Sequence, residues 1–121
     1  MRRPLIAFLV LALPAAAAEG EAVFRGHCAN CHAVAAGAPV GPGPNLGGVV
    51  GRKVGGDPGF DYSPVLQAAG EAGQRWDAAM LERFLVDPEA MFPGLWMGAN
   101  GLRGAADRAA VARYLAKRRG P

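Results

Sequence analysis

Glycine and proline are unevenly spread along this 121-residue chain. They crowd into Gly37 to Gly59 and again into Pro88 to Gly104, out of 18 glycines and 10 prolines in all. Glycine is costly to order and proline removes a backbone donor, so stretches this rich in both read as loops. A short chain with so much loop buries a thin core, and small domains of that kind need a staple, a metal or a cofactor. Something large and apolar is therefore expected at the centre.

The segments between the loops have helical periodicity. Gly20, Val23, Phe24, His27, Cys28 and Cys31 fall at i, i+3, i+4, i+7, i+8 and i+11, one stripe of a helix. Ser63 followed by Pro64 predicts an N-cap and first turn, opening a short helix through about Glu71. Asp77 caps a further helix with Met80, Leu81, Phe84 and Leu85 on one face, stopped by Pro88. A last helix runs from about Ala105 to Arg118. No segment alternates usefully as a strand, so the class is all-α.

Residues 1–18 read as a leader rather than as part of this domain. Arg2 and Arg3 precede an apolar run from Leu5 to Leu13, and Ala16-Ala17-Ala18 precede the acidic Glu19. That order is what a cleaved secretory signal peptide requires. The run falls short of the roughly 20 apolar residues that span a bilayer. Residues 19–121 then form one domain, and the expected location is the periplasm. Without Arg2 and Arg3, the thirteen basic and ten acidic residues become eleven and ten. A nucleic-acid partner would call for a basic face. The one basic cluster, Arg113 with Lys117 to Arg119, reads instead as a solvated helix end suited to the helix dipole.

The chemistry sits in Cys28-Ala29-Asn30-Cys31-His32. In an exported chain, C-x-x-C-H is the signature of covalent haem attachment. Two thiols three positions apart can add to the two vinyl groups along one side of a porphyrin, and the adjacent His32 can meet the iron from that side. A Cys28–Cys31 disulfide would close too small a ring to staple anything. A thioredoxin-like pair wants a βαβ setting that is missing, and a zinc ion wants four ligands from separated positions. His27 reads as a surface or packing residue. One haem c, attached through Cys28 and Cys31, supplies the apolar centre that the loops demanded.

The second axial ligand decides what such a haem does, since Met/His ligation suits electron transfer and an open position suits ligand binding or oxidative chemistry. Met80 lies within an amphipathic helix, where a core-filling methionine is the ordinary reading. Met91 and Met97 both lie in the second loop and stay open as candidates. Pro93-Gly94, which turns the chain, favours Met97.

From about Gly20 to Arg118 the chain resembles a class I c-type cytochrome, close to short mitochondrial cytochrome c and its bacterial periplasmic relatives. The resemblance rests on Gly20 with Phe24 before Cys28, on Gly43-Pro44-Asn45-Leu46, and on Gly51-Arg52-Lys53 through Pro58-Gly59-Phe60-Asp61-Tyr62. Trp76, Pro93-Gly94-Leu95-Trp96-Met97 and Tyr114-Leu115 complete it. The resemblance implies four to five helices with long loops wrapped around one haem. It implies Met97 as the second iron ligand beside His32, and the Pro44 carbonyl as acceptor for the His32 Nδ1 proton. Leu46 would pack on the haem, and Arg52, Tyr62 and Trp76 would bind its propionates. Gly20 would let the first and last helices cross closely, with Phe24 near Tyr114.

The departures are also informative. Phe84 and Leu95 stand where the family usually has Tyr and Thr, which removes two hydroxyl donors near the ligand sulfur and the inner propionate. The segment from Tyr62 to Trp76 is longer than in the mitochondrial form. Most lysines around the haem edge are absent, with Trp96 in one such place, so an apolar docking patch around Trp96, Ala99 and Leu102 replaces a basic ring. The implied function is that of a monomeric periplasmic electron carrier in a respiratory or photosynthetic chain, not an enzyme. Its partners would be redox proteins, with no nucleic acid and no small-molecule substrate. A haem enzyme or sensor with a labile Met97, or a small subunit of a larger redox complex, is the alternative.

Overall fold

The computed structural model describes residues 4–9, 15–98 and 101–118. Among them five helices follow one another: α1 (Ala15–His27), α2 (Pro64–Glu71), α3 (Ala78–Val86), α4 (Pro88–Met91) and α5 (Ala105–Ala116). No strand is found among the described residues, only an isolated bridge between Lys53 and Arg75. The all-α expectation holds.

Helix starts follow local chemistry closely. The Asp77 carboxylate accepts from the Met80 N–H at 2.7 Å and opens α3, and Asp87 accepts from Ala90 at 3.2 Å to open α4. Each carboxylate satisfies a backbone donor that the helix itself leaves unpaired. Pro88 does end α3, but it also starts α4 at the first-turn position that proline tolerates. That four-residue helix lies where the sequence predicts loop, because proline density masks a helix start.

The thiol segment also differs from the expected stripe. α1 ends at His27, and the chain leaves it in a tighter turn, with the Cys31 and His32 N–H groups both donating to the Cys28 carbonyl at 3.1 and 2.9 Å. At its other end α1 begins at Ala15, so it runs through the expected cleavage point. Leu5, Ile6, Phe8 and Leu9 lie exposed ahead of it. Among the described residues, no helix is long and apolar enough to cross a membrane.

α1 crosses α5 at Gly20, where a Cβ would come within 2.5 Å of the Ala110 carbonyl oxygen and 2.7 Å of Tyr114 Cβ. Glycine is required there because backbone meets backbone. The Phe24 and Tyr114 rings follow, with centroids 5.7 Å apart. Trp76, Phe84 and Phe92 form a second aromatic cluster, with centroids 5.0 to 6.1 Å apart and rings inclined rather than stacked. These geometries suit the aromatic quadrupole. α3 packs on α5, and the core runs along one side of a large internal hollow.

Candidate functional site

The hollow has a volume of about 400 Å³, and two kinds of wall enclose it. Helices supply one: Leu66 from α2, Leu81, Phe84 and Leu85 from α3, and Val111 and Leu115 from α5, joined by Leu95. All of these reach it through hydrocarbon. The other comes from the loops between α1 and α2 and carries His32, Pro44, Arg52, Tyr62 and Ser63. Cys28 and Cys31 sit side by side at the junction, and Met97 enters from the loop before α5.

His32 is fixed on two sides. Its Nδ1–H donates to the Pro44 carbonyl at 2.8 Å, which leaves Nε2 as the free lone pair. Its ring lies so close to Gly43 that a Cβ there would strike the imidazole. Burial pushes the His32 pKa down, with the Pro44 bond acting in the opposite direction. Burial likewise raises the Cys28 thiol, and the neighbouring Cys31 adds to the effect. A neutral, oriented imidazole beside two neighbouring thiols suits metal ligation and thioether formation on one edge of a flat group.

The loop wall holds itself together. Arg52 donates to the carbonyl oxygens of Asn45 at 2.8 Å and Gly47 at 2.7 Å. The Asn45 side chain in turn donates to the Ala35 carbonyl and accepts from Gly47, both at 2.8 Å. Three of the five guanidinium N–H groups of Arg52 remain beyond those two bonds. The Tyr62 hydroxyl accepts from the Asp57 N–H at 3.1 Å. Its pKa is raised by burial, against lowering by the Asp57 bond and by the nearby Arg52 charge.

Of Met80, Met91 and Met97, Met97 is the one that lines the hollow; the other two pack half-buried against the core. Leu46 and Trp76 line it as well. Leu102 does not belong to a surface patch: it is buried at 4% exposure, because it packs under the loop into the core, while Trp96 is 64% exposed. Ala99 lies outside the described residues.

Ser63 is a lining residue that its sequence context does not mark. It precedes Pro64 as an N-cap should, yet its side chain makes no capping bond. Its hydroxyl is buried, has no hydrogen-bond partner among the described residues, and belongs to a residue that lines the hollow. A buried hydroxyl without a partner is costly, so it points to an acceptor supplied by whatever fills the space. Ser-Pro before a helix looks the same in sequence whichever way the hydroxyl turns.

Comparison with known proteins shows the family. The cytochrome c family model matches residues 17–118. The chain belongs to the cytochrome c family. Cytochrome c2 of Rhodomicrobium vannielii is 41% identical over 102 residues, covering 84% of this chain and 78% of that protein. Cytochrome c-550 of Ancylobacter novellus is 41% identical over 85 residues, covering 70% and 78% respectively. The solved structure of cytochrome c2 from Rhodospirillum centenum superposes with a TM-score of 0.79 at 34% identity, covering 85% of this chain and 98% of that one.

Membership in the cytochrome c family carries a covalent haem c, for which Cys28 and Cys31 are the attachment pair. The residues present fit it. The apolar walls accept a large flat ring, the close approach of the His32 ring at Gly43 leaves no room for a side chain, and the unpartnered buried hydroxyl of the lining residue Ser63 could be satisfied by a polar group of the ring.

Proposed function

We propose that this cytochrome is a periplasmic one-electron carrier, its haem iron held between His32 and Met97, serving a respiratory or photosynthetic chain. The observation that carries this reading is that Met97, alone among the methionines considered as ligands, shares the hollow with His32 and both thiols. When bound, the haem would supply reversible one-electron chemistry, with His32 and Met97 the residues that would hold its iron.

The chain's own residues do the rest. Pro44 keeps the His32 proton on Nδ1 and so presents Nε2 to the metal. Leu66, Leu81, Phe84, Leu85 and Leu95 exclude water, leaving little to reorganise when the charge changes. Tyr62, Trp76, Arg52 and Ser63 line the same hollow and would hydrogen-bond the haem carboxylates. Residues 1–18 would be removed on export, so that α1 of the mature protein starts just before Gly20. Redox proteins would be its donors and acceptors.

The optical spectrum tests the ligand set. Ferric protein at neutral pH should show a sulfur-to-iron charge-transfer band that Met97→Ala abolishes and Met91→Ala keeps. High-spin ferric iron, or ready carbon monoxide binding on reduction, would remove the carrier reading. The mass of the exported protein tests leader cleavage near Ala18.

A further inference from the structure

Charge is partitioned in this chain. From Gly26 to Gly51, and again from Ala90 to Leu102, there is no Asp, Glu, Lys or Arg. These two segments supply the opening of the hollow: the residues that both line it and are exposed are His27, Cys31, Pro42, Trp96 and Gly98. Arg52 is the one residue of formal charge among the described lining residues, and it is half-buried with two of its N–H groups bonded to carbonyl oxygens. Formal charges resume only at the segment ends, at Arg25, Arg52, Glu89 and Arg103.

We propose that this opening is a charge-free docking face, and that its partner is a redox protein presenting an equally uncharged, apolar surface around its own electron-transfer site. The proposal rests on the carrier reading above. A charged partner group pressed onto this face would lose its hydration without meeting an opposite charge. An apolar partner surface gains from covering the large side chains exposed on these two uncharged segments. Trp96, which lines the opening, is 64% exposed, and Val40, two residues before the lining Pro42 in sequence, is 71% exposed. A tryptophan at the rim of a buried group is the kind of residue that anchors an interface. Electrostatic steering has nothing to act on at this face, so recognition depends on fit and apolar contact.

A second copy of the protein in the other oxidation state is a partner whose face has this chemistry by construction. Electron self-exchange in mixtures of ferrous and ferric holoprotein, read from NMR line widths at pH 8, is the test. The rate should change less than about threefold between roughly 10 and 300 mM salt, since screening acts only where charges face each other. Val40→Lys combined with Trp96→Lys should be about tenfold slower than Trp96→Gln at the low salt, with most of that extra loss recovered at the high salt. Trp96→Gln, which adds no charge, should slow it equally at both.

A wild-type rate that climbs steeply with salt would show that like charges reach the face and would overturn the proposal. So would a lysine pair no slower than Trp96→Gln, or a Trp96→Gln variant as fast as wild type. Failure to cycle reversibly between ferrous and ferric spectra in a bulk titration would overturn the carrier reading and the docking face with it, by a signature separate from line width.

Discussion

The two walls of the haem cavity are built by different physics. The helix wall places Leu66, Leu81, Phe84 and Leu85 by periodicity alone, and each is buried because α2 and α3 have one apolar face. The loop wall has no periodicity to rely on. It is held by side chains that bond to backbone: Arg52 to Asn45 and Gly47, Asn45 to Ala35, and His32 to Pro44. A helix satisfies its own backbone groups, whereas a loop must find partners elsewhere. Substitutions in the first wall should therefore cost packing, and those in the second should cost orientation.

The largest effect is expected in the helix wall. Phe84 is buried at 7% exposure between Trp76 and Phe92. Phe84→Ala should lower holoprotein stability by about 3–5 kcal/mol, the usual cost of such a truncation. Denaturant unfolding with an unchanged slope checks it. A loss under about 1 kcal/mol would mean that the haem face, not this cluster, carries the packing.

Arg52→Leu tests the loop wall. It removes two hydrogen bonds from a charged group, for an expected loss of about 2 kcal/mol. It should also move the reduction potential, because the loop that Arg52 ties down carries the Pro44 carbonyl on His32. Asp77→Ala, a destabilising change at a helix cap that does not line the hollow, provides the control. A potential unchanged by Arg52→Leu would separate the loop from the imidazole.

The same contrast explains what could be read before any coordinates. Asp77 and Ser63-Pro64 announced two helices, and the thiol pair with His32 announced the cofactor, because each depends on neighbours in sequence. Met91 and Met97 fall in one Pro/Gly-rich stretch, and the Pro93-Gly94 turn between them only favours Met97; the wrap of the loop is what puts Met97, and not Met91, on the hollow. Ser63 and Leu102 were opaque for a related reason. Burial of a loop residue depends on what packs over it, which periodicity does not report. α4 was hidden because Pro88 both stops one helix and starts the next.

Two serine and aspartate caps then divide stability from redox tuning. Asp77→Ala should cost about 1 kcal/mol with the potential unchanged, because its carboxylate caps α3. Ser63→Ala should cost no capping energy, as the Ser63 hydroxyl makes no capping bond. It should shift the potential instead, by removing a buried donor from the haem's polar edge. Reversal of the two signatures, in paired unfolding and redox titrations, would put Ser63 back among ordinary caps.

The smallest effect concerns Tyr62 at alkaline pH. Burial is the largest influence on this phenol and raises its pKa above the ordinary value of about 10. A group whose pKa is raised on folding holds its proton more tightly in the native state. Its contribution is fully present below the unfolded pKa and is lost as pH rises through the folded one. Wild-type stability should therefore begin to fall above about pH 10, and Tyr62→Phe should flatten that fall while leaving the profile below it parallel. Unfolding midpoints across the alkaline range check the sign. An unchanged alkaline slope in Tyr62→Phe would assign the fall to other phenols or amines, and the loop wall would then owe its pH response to its rim and not to its buried bonds.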